Sequence, residues 1–238
     1  VITHGAVATS DTWESQGVSH YRVQGDVTIA ASTGPVLTIS PGLTLKFDNN
    51  AGLYVGTITM TGALAADGTT ARIRLTRSGI DLDRWEGLFF DQRADTTRSV
   101  VNNVEISYAG RGDLWHGQFW YSNVNVYRSA PTIQNCEIHH SNRHGVQCGE
   151  ARPTIRNTTF HDNGTTDIHY DVYADGNSLP LIENNTFGVG QPYAVHLPPN
   201  AVNRLRSNTF HPARGVSVGG GTVTALSLIH ISEPTRPY

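Results

Sequence analysis

The chain has 238 residues, enough for one or two domains, with 38% hydrophobic and 16% charged residues, 24 glycines and 11 prolines. Low charge, many turn formers and the lack of any period-3.6 stripe exclude a helical protein and point to an all-β one. A net charge of −3 from 17 basic and 20 acidic residues leaves no concentrated basic face, so nucleic acid is not an expected partner. No run approaches the ~20 apolar residues that a membrane helix needs. The two cysteines, Cys136 and Cys148, do not make a disulfide scaffold and are expected as buried free thiols at inward positions of one coil. Because the sequence starts at Val1, any export signal is expected to be already removed or outside it.

Residues 1–20 read as a lead-in that caps an open end, with Trp13 as its plug. Alternating strands follow at Val27-x-Ile29, Leu37-x-Ile39, Leu43-x-Leu45-x-Phe47, Leu53-x-Val55, Ile73-x-Leu75 and Leu88-x-Phe90, separated by Gly, Pro, Asp and Asn turns. From Val101 onward a motif recurs: apolar, any residue, Asn, two residues, large apolar. It reads Val101-x-Asn103-x-x-Ile106, Ile133-x-Asn135-x-x-Ile138, Ile155-x-Asn157-x-x-Phe160, Ile182-x-Asn184-x-x-Phe187 and, with Ser for Asn, Leu205-x-Ser207-x-x-Phe210. Successive copies are 32, 22, 27 and 23 residues apart. A period in the twenties built from short strands marks a solenoid whose coils cannot bury their faces alone.

Each later copy is followed by a second short strand, at 145–148, 167–170, 194–197 and 215–218. Coils in register stack about 4.8 Å apart, so Phe160, Phe187 and Phe210 are expected to stack inside. The repeated Asn fits a corner where its amide satisfies backbone groups and bonds to the Asn of the next coil.

The segments Tyr21–Ile29 and Leu37–Phe47 resemble the opening coils of secreted bacterial proteins with parallel β-helix (pectin-lyase-like) repeats, and Trp85-Glu86-Gly87-Leu88-Phe89-Phe90 is similar to their Trp-Gly-Gly-Ile-x-Phe strand, Glu86 departing from the usual Gly. With the Asn repeats, the resemblance runs from about Tyr21 to Val218. It implies a secreted or cell-surface protein in a superfamily of lyases, hydrolases, epimerases, adhesive proteins and passive spacers. The expected organisation is all-β: a single right-handed parallel β-helix over 21–225, a cap over 1–20, and a truncated C-terminal end. Residues 226–238 read as foreign, since Leu226–Arg236 resembles a translated sequencing adapter. A natural chain would then continue past Ala225, and the cut end would invite end-to-end association or a makeshift strand from the tail. His230 and Glu233 are therefore left out of every candidate site.

Three places carry candidate chemistry. An outward ladder of Asn125, Gln147, His169, His196 and Ser217, flanked by Asp167 and Asp171, sets histidines near carboxylates as general acid–base groups require. The other reading is a solvated polar sheet. A second ladder, Ser107, His139, His161, Gly188 and His211, has His140, His144 and Asp162 beside it. Gly188 separates His161 from His211 by two coils, roughly 10 Å, too far to share an ion. Only His139 with His161 passes that test, and with no recognised ligand motif neither a metal nor a cofactor is expected.

The third place is the insertion behind the 32-residue step, where Trp115, Phe119, Trp120 and Tyr121 put four aromatics in seven residues. Such rings stack on the apolar faces of sugars, or else fold back to cover a gap in the coils. Arg111-Gly112-Asp113 and the sequons at Asn157 and Asn163 carry no functional weight. There is no carboxylate cluster of the calcium-binding kind, no Asp/Glu pair expected at stacking distance, and no Thr-x-Thr ladder. The expected function is binding of extracellular polysaccharide, with Trp115, Phe119, Trp120, Tyr121 and Gln147 in contact. A passive spacer or adhesin segment is the alternative. Were the chain an enzyme, it would be a lyase or glycoside hydrolase using His169 and His196 with Asp167 or Asp171.

Overall fold

Short apolar–polar alternations, many of them broken by a residue in the left-handed backbone region, produce strands that end at corners rather than in hairpins. In a computed structural model, which describes residues 1–2, 4–79, 84–116, 118–166 and 168–221, these strands form three parallel sheets of nine, eight and eight strands. Of residues 113–115, 118 and 119, the backbone alone is described.

Sheet I runs from Gly5–Val7 through Val27–Ile29, Gly52–Val55, Gly87–Phe90, Val124–Tyr127, Val146–Gly149, Val172–Ala174 and Tyr193–Leu197 to Gly215–Val218. Sheet II runs from Asp11–Trp13 to Leu205–Arg206, and sheet III from Tyr21–Val23 to Thr209–Phe210. Eight successive coils each give one strand to each sheet in that order, Gly215–Val218 adds a ninth strand to sheet I, and each strand pairs with its equivalent in the next coil. This is the parallel β-helix expected from the repeat.

The core is a set of columns along the axis. Leu53, Leu88, Val124, Val146, Val172 and Val195 are successive register partners inside sheet I. Leu75, Ile106, Ile138, Phe160, Phe187 and Phe210 do the same in sheet III. The phenylalanines stack as expected, 5.2 Å between Phe160 and Phe187 and 4.9 Å between Phe187 and Phe210. Each fully buried side chain of this size contributes about 2 kcal/mol. Cys136 and Cys148 are buried free thiols, and burial pushes the Cys136 thiol up to about 12.

The lead-in covers the N-terminal end by extending sheets I and II with one strand each, and Trp13 packs half-buried against the core there. Residues 222–238, including Leu226–Arg236, lie outside the described residues.

The repeated Asn sits at the corner between sheets II and III, as expected, and the Asn103 Nδ2 donates to the Gly68 carbonyl at 2.6 Å, but the expected pairing between equivalent Asn residues is not what recurs. Asn103, Asn135, Asn157, Asn184 and Ser207 all have φ between 51° and 56°. Asn tolerates this region better than other non-glycine residues, which explains the repeat without any side-chain ladder. Asn135 bonds Asn102 of the neighbouring coil at 2.7 Å rather than its own equivalent. Pairing between equivalent Asn residues of neighbouring coils occurs one position later, where the Asn185 Nδ2 donates to Asn208 Oδ1 at 3.1 Å. Two further corners use the same left-handed geometry: Arg128 and Glu150 after sheet I, and Tyr108, His140 and Asp162 after sheet III.

Candidate functional site

The outer face of sheet I carries the first candidate, and its register changes one member of the expected ladder. Asn125 pairs Gln147, Gln147 pairs Tyr173, and Tyr173 pairs His196, which pairs Ser217. Tyr173 therefore occupies the rung expected for His169. The strand of this coil is Val172–Ala174, not 167–170, because Val172 and Ala174 are the apolar pair that enters the core. Ile168, the apolar centre of the expected strand, is instead 67% exposed.

The displaced segment becomes a turn that His169 holds together. Its Nδ1 accepts the backbone N–H groups of Thr165 and Thr166 at 3.1 and 3.3 Å, and its ring is buried. Asp171 is not an outward carboxylate. It is fully buried, ion-paired with Arg214 and hydrogen-bonded by Asn163 Nδ2 at 2.9 Å. Burial raises the Asp171 carboxyl to about 6, against the pull of Arg214. Asp167 lies outside the described residues.

These shifts assemble an aromatic stripe that the strand assignment at 167–170 concealed. Tyr173 stacks on His196 at 5.1 Å and 10°, and on His144 at 4.8 Å and 18°. Tyr170 leans against both His144 and His196. Tyr170, Tyr173 and His196 are half-buried, with Tyr193 exposed nearby on the same strand as His196. His144 is buried, which holds its imidazole down at about 3, and its Nδ1 accepts the Tyr170 N–H at 3.1 Å. His196 bonds the Ser217 hydroxyl at 3.0 Å, and burial lowers its pKa. Gln147 is half-buried and accepts from Ser122 Oγ at 3.1 Å.

The aromatic insertion is an antiparallel hairpin, Asp113–Trp115 with Gln118–Trp120, folded back onto the solenoid. Trp120 is not an exposed sugar platform: it is fully buried and meets Tyr127 edge to face at 6.1 Å. Gly149 is required beneath it, since a Cβ there would come within 2.7 Å of the indole. His116 fixes the hairpin by stacking on Tyr127 at 4.4 Å and bonding the buried Asp91 at 3.0 Å. Tyr121 lies under the Arg143 guanidinium at 4.1 Å. The side chains of Trp115 and Phe119 lie outside the described residues.

The second candidate is the edge where sheet III turns its corner. Ser107, His139 and His161 are register partners, as the sequence ladder requires. His139 and His161 stack in parallel at 4.7 Å. The corner adds His140, whose left-handed backbone turns its ring back so that Nδ1 lies 2.7 Å from Nδ1 of His139. One ring nitrogen from each of the three lies within 4.8 Å of the others.

Glu105 and Glu137 are also register partners, so two carboxylates do stand at stacking distance, contrary to the expectation from sequence. The repeat of Asn-x-Glu-Ile at 103–106 and 135–138 was the signal for this pair. Arg74 holds Glu105 and Arg72 holds Glu137. The nearby His139 imidazole and the Arg74 guanidinium outweigh burial and bring the Glu105 carboxyl down to about 2. Burial lowers the pKa of His140, and its histidine neighbours lower it further.

Stacked coils, three parallel sheets and polar sites on their outer faces define the parallel β-helix class. The family model for the right handed beta helix region matches residues 86–230, more than half of the chain, and the chain belongs to that family. No curated protein and no solved structure matches it.

Proposed function

We propose that this domain binds extracellular polysaccharide along the outer face of sheet I, across the rings of Tyr170, Tyr173 and His196. The observation that carries this reading is the stacked stripe itself: half-buried aromatic faces on successive coils, flanked by the polar Gln147 and Ser217. Aromatic faces combine with polar edges to recognise sugars, whose rings offer apolar C–H faces and peripheral hydroxyls. The spacing between rungs follows the coil repeat, so a linear glycan along the axis meets one ring after another.

Binding is better supported than cleavage. The Nδ1 of His169 is occupied by backbone amides and Asp171 by Arg214, which supports leaving these two out of an acid–base pair. The passive-spacer reading draws its support from the buried Trp120 and the folded-back hairpin.

The test is retention on a panel of immobilised neutral and acidic polysaccharides, with Tyr173→Ala and Tyr170→Ala as variants. Wild-type retention that both variants weaken supports the stripe. Failure of the wild-type chain to bind any of the panel leaves the spacer reading.

A further inference from the structure

The histidine cluster at the end of sheet III lies on a different sheet from the aromatic stripe and plays no part in the proposed glycan contact. Its members come from two coils. His139 and His161 end adjacent strands, while His140 and Asp162 occupy the corner positions that follow them. Left-handed backbone costs an L-residue about 1–2 kcal/mol, and Asn, Asp and His are the non-glycine residues that adopt it most often. The corner between sheets II and III uses Asn at this conformation, but the corner after sheet III keeps Tyr108, His140 and Asp162. That choice places His140 against its two neighbours.

The distances suit one ion. Nδ1 of His139 and Nδ1 of His140 are 2.7 Å apart, and the widest separation among the three ring nitrogens is within 4.8 Å. Tetrahedral coordination at about 2.0–2.1 Å sets ligand nitrogens roughly 3.3 Å apart, between those two values. All three rings are half-buried, accessible to an ion yet held by their strands.

The remaining ring nitrogens of His139 and His161 face carboxylates, as those of ligating histidines do. His139 Nε2 is 3.7 Å from Glu105 Oε1, and His161 Nε2 is 3.1 Å from Glu137 Oε1. Asp162 Oδ2 lies 2.8 Å from His161 Nδ1, on the side left open by Glu137. Glu105 and Glu137 are each neutralised by an arginine, whereas Asp162 has its described bond to His161. Three imidazoles and one oxygen form a donor set for borderline divalent ions of the first transition row, not for calcium.

We propose that His139, His140 and His161 bind a divalent transition-metal ion such as Zn²⁺ through their Nδ1 atoms, with Asp162 or water as the fourth ligand and Glu105 and Glu137 orienting the rings. The competing explanation is a hydrogen-bonded imidazole stack with no affinity for metal. The test uses the tag-free full chain, stripped with EDTA and dialysed against ZnCl₂, with bound metal measured by elemental analysis. The wild type is expected to retain about one equivalent, which His140→Ala and His161→Gln lose, while Glu137→Gln weakens affinity on the order of 10–100-fold. His196→Ala and His230→Ala are expected to retain the metal. Co²⁺ in place of Zn²⁺ is expected to give the intense visible absorption of a tetrahedral site.

Wild-type chain that retains no Zn²⁺, or variants that retain it equally, would overturn the proposal. Should a variant not fold, imidazole ¹⁵N spectra of the wild type decide. Shifts confined to His139, His140 and His161 on adding Zn²⁺ support the site, and unshifted signals from them overturn it.

Discussion

The rings of Tyr173 and His196 lie on adjacent strands in register, 5.1 Å apart and within 10° of parallel, on the outer surface of the solenoid. Their backbones belong to separate coils, so the contact exists only because the coils are stacked. Removing one ring should therefore change the surface and leave the core intact. Tyr173→Ala is expected to weaken polysaccharide retention on the order of tenfold, since an aromatic contact contributes roughly 1 kcal/mol beyond its burial. Affinity electrophoresis with a thermal melt as control measures both, and unchanged mobility on a retained glycan would remove Tyr173 from the site.

Trp120 behaves differently because it is buried. Trp120→Ala is expected to cost about 3–5 kcal/mol of hairpin docking, the usual range for emptying a large aromatic site. The solenoid beneath has its own core, so the loss should be local. Hydrogen exchange at the backbone amides of 113–120 is expected to accelerate while the strand Val124–Tyr127 stays protected. Uniform acceleration across the coils would show that the hairpin is part of the global folding unit.

His144 makes stability depend on pH. Its imidazole is held at about 3 in the fold against an ordinary value of 6.5. Between those values the unfolded chain binds a proton that the native chain does not, so stability falls as pH falls through this window. The slope is about 1.4 kcal/mol per pH unit for the single group. Glu105, brought down to about 2, acts in the same direction below its ordinary value of 4.5. At His161 burial lowers the pKa, but the hydrogen bonds that its ring N–H groups donate to Asp162 and Glu137 outweigh it and raise the pKa, so this group acts in the opposite direction near neutrality. Denaturant melts of the wild type and His144→Gln from pH 7 to pH 5 isolate the His144 contribution: the variant is expected to lose less stability on acidification. Parallel curves would refute the assignment.

The corner residue Asn157 is expected to accept glycine and reject branched side chains. Its φ of 51° suits Asn157→Gly, whereas Asn157→Val should cost about 1–2 kcal/mol. Chemical denaturation measures the difference, and equal stability of the two variants would contradict a backbone role.

Asp171 and Arg214 form a buried pair, with side chains 0% and 2% exposed. Losing one partner strands the other charge, so Asp171→Ala is expected to destabilise by about 3–5 kcal/mol. The double variant Asp171→Leu, Arg214→Met should recover much of that loss, and a simple sum of the two single effects would falsify the coupling.

Much of the architecture was legible in the residues. Two-residue alternation, an Asn in four of the later coils and Phe at matching offsets specify strands, corners and an inner stack, because all three are local consequences of backbone conformation and burial. The sites were legible only in part. The ladder of Ser107, His139 and His161 came from repeat spacing alone, since parallel strands put equivalent repeat positions side by side.

Where loop lengths vary between coils, spacing loses its hold. Only the packed core decided that Val172 and Ala174, rather than Ile168 and Tyr170, enter sheet I, and that choice put Tyr173 on the outer face and Asp171 inside. Only the return of the hairpin onto Tyr127 and Gly149 buried Trp120, and only the left-handed corner turned His140 toward His139 and His161. Alternation records which residues share a face. Which face is covered, and which side chains from different coils meet there, depends on contacts between segments far apart in the chain, and those become definite when the coils stack.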